Sequence, residues 1–331
     1  MAKDVITNSR IQTATCLRRE YLAYQLRLRP IREANYFRIG RAIHYGIDLY
    51  NKGEKNIVDA VMVKYEKTKP LDYIYEWEIE KEVVRTLLVC YMWRWEEMDQ
   101  DIEIIASEQK FEIPIINPDT GRQSKTAVLA GVIDGIVRFK STGIKAIKET
   151  KTRTGGIEPE NDFWKRLRID NQVSEYFMAA QYLGYDVDTI FYDVMQKPTI
   201  RPFKTTPTDK RKYKADGSLY ANQRDRDETP DEYGNRYLKD IGERPDFFFA
   251  RREIPRLAED IKDFQRELWQ TIGIMRDCNN HQRWPKKTNL CIGFGKCPYF
   301  DLCTSGYDIN SGIIPDGFEI TDNIHPELIG D

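Results

Sequence analysis

The sequence predicts an α/β fold, with a helical N-terminal layer followed by a sheet and further helices. Three observations carry this. Apolar residues recur at helical spacing through the first hundred positions. The period becomes that of strands near Ile102, and helical spacing returns at Phe163.

In the first part, Ile39, Ile43, Ile47 and Tyr50 form one helical stripe, and Val84, Leu87, Leu88, Tyr91, Trp95 and Met98 form another. Three strands are expected next: IEIIASEQKFEIPI from Ile102, AVLAGVIDGIVRFK from Ala127 and IKAIKETK from Ile144. The turn sequences NPDTG and STG separate them, which makes the run antiparallel. A helix is expected from Phe163 to about Leu183, a strand over 188–195, and a last helix from about Ile254 to Asp277. A Cys-containing, loop-rich tail follows. Residues 198–246 are poor in aliphatics and rich in charge, Gly and Pro, and read as a flexible excursion. One integrated domain in four parts is expected: 1–100 helical, 101–197 the core, 198–246 a basic polar insertion, and 247–331 a helix with a Cys-rich strap.

Composition narrows the class. The chain has 331 residues, 40% hydrophobic and 31% charged, which suits a globular protein and not a disordered one. No apolar run approaches the ~20 residues that span a bilayer, so no membrane partner is expected. The start, MAKDVITNSR, lacks the apolar stretch of a secretory leader, so a cytoplasmic setting is the default. Net charge is −2, but residues 197–214 carry seven basic side chains against one acid, a local patch suited to phosphate. Only three histidines are present, which argues against a His-rich zinc enzyme.

Asp134 lies inside the apolar strand AGVIDGIV. Burying an unpaired acid there would cost several kcal/mol, so a cation partner is expected. On the next strand, Glu149 and Lys151 are two residues apart and share a face. The STG turn brings that face beside Asp134. Two converging carboxylates make a hard oxygen site suited to Mg²⁺ or Mn²⁺. An ammonium beside them can orient a water and neutralise charge developing on a phosphate.

There are six cysteines. In a reducing compartment, metal ligation competes with disulfides as their explanation. Cys291, Cys297 and Cys303 stand at two five-residue gaps, and Cys16 lies near the start. Three close thiols and one remote thiol can form a tetrathiolate site that pins the two ends together, holding either an iron–sulfur cluster or zinc. Cys90 and Cys278 read as core thiols.

The set Asp134, Glu149-Thr150-Lys151 resembles the signature of the PD-(D/E)XK nuclease superfamily, with Ile133 where a proline often stands. Gly40 and His44 resemble the Gly-x-x-x-His helix of its RecB-like branch, and Gln172 and Tyr176 the Gln-x-x-x-Tyr motif. The three-plus-one cysteines resemble the iron–sulfur clamp of exonucleases such as AddB and the CRISPR adaptation nucleases. The likeness runs from about Ser9 to Cys303.

This resemblance implies a restriction-endonuclease-like core with a mixed sheet. It implies a metal-dependent DNA exonuclease of recombination, repair, or CRISPR- or phage-related DNA processing in a bacterial or phage-infected cell. Asp134, Glu149 and Lys151 would be catalytic, and His44, Asp134 and Glu149 would hold Mg²⁺ or Mn²⁺. Gln172 and Tyr176 would contact DNA, with Glu108 an auxiliary acid. Cys16, Cys291, Cys297 and Cys303 would hold a [4Fe-4S] cluster, with zinc the alternative. DNA that is single-stranded or has free ends would be the substrate, and a recombination, helicase or CRISPR protein the partner. The rival readings are a structure-specific endonuclease and a DNA-binding scaffold with a vestigial site.

Overall fold

The computed structural model describes residues 3–293, 295–309 and 311–328. The N-terminal part runs β1 (Asp4–Ile6), α1 (Asn8–Thr13), α2 (Leu17–Glu20), β2 (Leu28–Pro30), α3 (Asn35–Asn51), α4 (Ile57–Glu66) and α5 (Ile74–Trp95). The centre holds β3 (Ile102–Ile116), β4 (Gln123–Phe139), β5 (Lys145–Arg153), α6 (Asp162–Leu167), α7 (Asn171–Tyr182) and β6 (Thr189–Gln196). After a long loop come α8 (Pro230–Glu243), α9 (Pro245–Phe248), β7 (Phe249–Ile254), α10 (Ala258–His281), α11 (Phe300–Thr304) and β8 (Phe318–Ile320). None of the described helices is long and apolar enough to cross a membrane.

The expected meander is present. β3 pairs antiparallel with β4 along almost its full length, and β4 with β5 through a tight turn. Gly143 closes that turn at φ 75°, a conformation that disfavours any side chain. β5 then runs parallel to β6, which pairs antiparallel with β7, so the sheet is mixed. The far edge of β4 is shared. β1 lies against residues 127–129 and β5 against 135–138, and among the described residues no strand pairs with 130–134 on that side.

Two apolar layers sandwich the sheet. On one face, Ile133, Ile136, Ile147 and Tyr192 pack with Val173 of α7 and with Phe264 and Leu268 of α10. On the other, Met195 and Phe249 join a cluster built from α3, α4, α5 and α8. Ile43, Ile47, Leu87 and Leu88, all from the two predicted stripes, are buried there, each contributing roughly 1.5–3 kcal/mol. α3 approaches α5 so closely that a Cβ on Gly46 would come within 2.6 Å of Leu88 Cδ2.

Several expectations need correction. The helix expected from Phe163 to Leu183 is two helices, because the Asp170 carboxylate accepts the Gln172 N–H at 2.9 Å and starts α7 afresh. The segment 198–246 is not an excursion throughout. Its last third is α8, begun by a Thr229–Glu232 capping box and burying Tyr233, Tyr237 and Ile241 against α5. Its aromatic spacing supplies the core contact that aliphatic counting overlooks. Residues 249–254 are a sheet strand, not the approach to a helix, and α10 starts later than expected and ends at His281. The short strands β1, β2 and β8 were too brief to register in the periodicity.

Candidate metal centre

The predicted residues meet where β4 and β5 part. The β4–β5 pairing ends at Gly135–Lys148, and beyond it the Thr150 N–H donates to Asp134 Oδ2 at 2.8 Å. The fork therefore holds the Asp134 carboxylate by backbone, a contact that no side-chain pattern could announce. From the helical layer, His44 Nδ1 reaches within 3.3 Å of the same Oδ2. Burial alone would lower the imidazole pKa, but the Asp134 charge and hydrogen bond more than offset it and lift it to about 9. In turn Asp134, despite desolvation, is held below the usual carboxylate range by His44 and Lys151.

Glu108 completes this group. Its neighbours Ser107 and Gln109 pair with Gly135 and Ile133, so it stands across the ladder from Asp134. Its φ of 48° lies in the left-handed region, uncommon for a residue with a side chain. Ligand atoms of His44, Glu108 and Asp134 lie within 4.8 Å of one another. Two carboxylates and an imidazole in that space fit a divalent cation that accepts oxygen and nitrogen. Glu108, expected only as an auxiliary acid, is thus closer to the centre of the group than Glu149.

Glu149 is 1% exposed and ion-paired with Lys151, the next residue on its face. Its Oε1 faces the Lys151 ammonium, and its buried Oε2 accepts no hydrogen bond. Burial first, and then the Asp134 charge, raise its pKa to about 7 against the pull of Lys151. A buried carboxyl with open lone pairs beside a second acid is what a cation would satisfy.

α7 forms the opposite wall. Gln172 Nε2 donates to the Tyr176 hydroxyl at 2.7 Å, so the i,i+4 pair faces one way as expected. The Tyr176 ring is buried, edge-on to Phe111.

Two hydrogen bonds unforeseen in the sequence brace the His44 helix. Ser107 Oγ donates to Asp48 Oδ1 at 2.7 Å, and Lys148 Nζ to Asn51 Oδ1 at 3.0 Å. They tie α3, one and two turns past His44, to the strands bearing Glu108 and Glu149.

The four predicted cysteines converge away from this centre. Segment 16–18 lies along 284–287, with Arg18 N–H donating to the Pro285 carbonyl and Lys287 N–H to Cys16 Sγ at 3.5 Å. Burial pushes the Cys297 thiol up, and Cys16 and Cys291 are near enough to add to it. Cys303 is likewise raised by burial and by Cys297 and Cys16. Cys90 and Cys278 are buried, as expected of core thiols.

A family model described as the PD-(D/E)XK nuclease superfamily matches residues 7–304. No curated protein sequence matches significantly. Among solved structures, the chain is similar to one named "Putative exonuclease" from Eubacterium rectale, at 11% identity and TM-score 0.48, covering 91% of this chain and 93% of that one. A second, of a protein named SSO0001, has 12% identity and TM-score 0.27, covering 80% and 85%.

Proposed function

This chain belongs to the PD-(D/E)XK nuclease superfamily, and from that premise we propose that it is a metal-dependent DNA exonuclease of the RecB-like, iron–sulfur branch. The observation that supports the reading best is the fork itself. Asp134, Glu108 and His44 gather their ligand atoms within 4.8 Å, beside the open Glu149 carboxyl and the Lys151 ammonium.

His44, Asp134, Glu149 and Glu108 would hold Mg²⁺ or Mn²⁺. When bound, such an ion supplies Lewis acidity toward the phosphate and lowers the pKa of the attacking water. Lys151, steered by Glu149, orients that water and offsets charge growing on the phosphate oxygens. Gln172 and Tyr176 steady the strand being cut. His44 arrives on a helix outside the sheet and walls one side of the centre. Gly40, one turn earlier, leaves nothing nearer than Thr152 Oγ1 at 3.9 Å from where a Cβ would sit, which keeps that wall open for a backbone. A walled cleft favours a threaded strand with a free end over an uninterrupted duplex.

Cys16, Cys291, Cys297 and Cys303 would hold a [4Fe-4S] cluster that joins the chain ends. Zinc is the alternative occupant of the same four thiols.

The test is digestion of end-labelled linear DNA and of covalently closed circles with Mg²⁺ or Mn²⁺. Linear DNA should be degraded from its ends and circles spared. Efficient nicking of circles would overturn the exonuclease reading in favour of an endonuclease, and no cutting of any DNA would overturn both.

A further inference from the structure

Two residues past Lys151, where the central strands β5 and β6 end, stand two cations that no carboxylate among the described residues contacts at ion-pair distance: Arg153 and Lys197. Lys197 N–H donates to the Arg153 carbonyl at 2.8 Å, which fixes the two residues side by side. Their side chains leave by opposite faces. The Arg153 guanidinium lies 4.1 Å from the Phe163 ring centroid, below α6, and Lys197 Nζ lies 6.0 Å from that of Tyr36, at the start of α3.

Both cations are partly desolvated, and neither has a carboxylate within ion-pair distance among the described residues. Arg153 Nη1 is buried and has no hydrogen-bond partner. Burial, and then the charge of Arg166, lower the Arg153 pKa against the pull of Glu158, and burial alone lowers that of Lys197. A half-buried guanidinium and ammonium with no carboxylate in ion-pair contact stand ready for an anion. Gly155, at φ 119°, keeps the space beside the guanidinium, where a Cβ would come within 3.2 Å of Arg153 Nη2.

Exposed rings adjoin the ammonium. Tyr36 is 51% exposed and Phe37 54%, with their ring centroids 4.3 Å apart. They stand on the same helix as His44, about two turns toward its N-terminus. Large apolar rings left in water beside unpaired cations are what single-stranded nucleic acid binds, with bases on rings and phosphates on cations. The parallel register Lys151–Val194 and Arg153–Gln196 sets this patch about 7 Å along the sheet from Lys151, a nucleotide-scale step.

Resting on the nuclease reading above, we propose that Arg153, Lys197, Tyr36 and Phe37 form a subsite for single-stranded DNA next to the nucleotide being cut. Arg153 and Lys197 take backbone phosphates, and the two rings stack a base. The subsite holds the strand in line with the fork and accounts for the cations left without partners.

The experiment is fluorescence anisotropy of labelled oligothymidylate of about 15 nucleotides. It is run in Ca²⁺ with a gel check that the probe stays intact, across a salt series. Arg153→Gln and Lys197→Gln should each weaken binding and flatten the slope of log affinity against log salt by about 0.7. Tyr36→Ala should weaken binding about fivefold or more while leaving that slope unchanged, since it removes stacking and no charge. Lys262→Gln, on the outer face of α10, controls for general loss of charge, and circular dichroism controls for folding. Parental affinity and slope in Arg153→Gln and Lys197→Gln would overturn the subsite, as would a parent protein that binds duplex and ignores oligothymidylate. A protein that binds through these residues and cuts no DNA with Mg²⁺ or Mn²⁺ would keep the subsite and lose the nuclease reading. One that cuts while the variants bind like the parent would do the reverse.

Discussion

The 3.3 Å contact between His44 Nδ1 and Asp134 Oδ2 joins the helical layer to the sheet at the point where β4 and β5 diverge. A protonated imidazole there neutralises a carboxylate that would otherwise face a second acid, and a divalent cation would take over the same task. On the proposed reading, the site's metal dependence and its pH dependence would share one origin.

The catalytic assignments are testable one residue at a time. Asp134→Ala, Glu149→Ala and Lys151→Ala should each lower DNA cleavage by about 10²–10⁴-fold, the range for removing a group that acts in the transition state. Glu108→Gln should cost about 10–100-fold, the loss expected when a metal site's supporting donor goes. His44→Ala should lower activity strongly and recover in part with Mn²⁺, which accepts nitrogen donors more readily than Mg²⁺. Near-parental rates in any single variant would remove that residue from the site.

Without metal, stability should fall as pH rises, in two windows. His44 titrates at about 9 when folded, above its ordinary 6.5. Its pairing with Asp134 thus helps fully below about pH 6.5 and is lost as pH climbs through 9. Glu149 titrates near 7 when folded, above its ordinary 4.5, because burial and then Asp134 oppose its charge. Its cost therefore grows between those values and persists above them. In EDTA at pH 8, Glu149→Gln should raise the thermal midpoint, and in the parent protein added Mn²⁺ should do the same. A midpoint lowered by Glu149→Gln under those conditions would contradict the strain ascribed to this carboxyl.

The cysteine site predicts a matched pair of failures. Protein purified without oxygen should be brown, with absorbance near about 400 nm and bound iron and sulfide. Cys16→Ser and Cys297→Ser should destabilise equally, because each removes one ligand from a site joining the ends, whereas Cys90→Ser should be mild. Colourless protein with stoichiometric zinc would overturn the cluster and retain the staple.

The bracing of α3 predicts a variant outside the metal group that still affects it. Asn51→Ala removes the acceptor of the buried Lys148 ammonium, costing about 1.5–3 kcal/mol for a hydrogen bond to a charged group. Beyond that loss, it should weaken Mn²⁺ binding, measured by calorimetry on the folded variant, because His44 is no longer held in register with β5. Unchanged metal affinity would make the contact purely structural.

Much of this was legible in the chain because it depends on local spacing. The stripes Ile39–Tyr50 and Val84–Met98 dictate helices with one buried face, although the second helix stops at Trp95 and leaves Met98 exposed, and the Asp134, Glu149 and Lys151 pattern places like chemistry on facing strands through the short STG turn. Only tertiary structure decided the rest. Glu108 lies opposite Asp134 through a left-handed backbone turn that its side chain does not encode, and α8 is core because its tyrosines meet α5, which is distant in sequence. Arg153 and Lys197 become neighbours only when β5 and β6 lie parallel across an intervening helical segment. Periodicity reports which face of an element is apolar, but which faces meet, and which charges are left unpaired, is settled by packing between elements far apart in the chain.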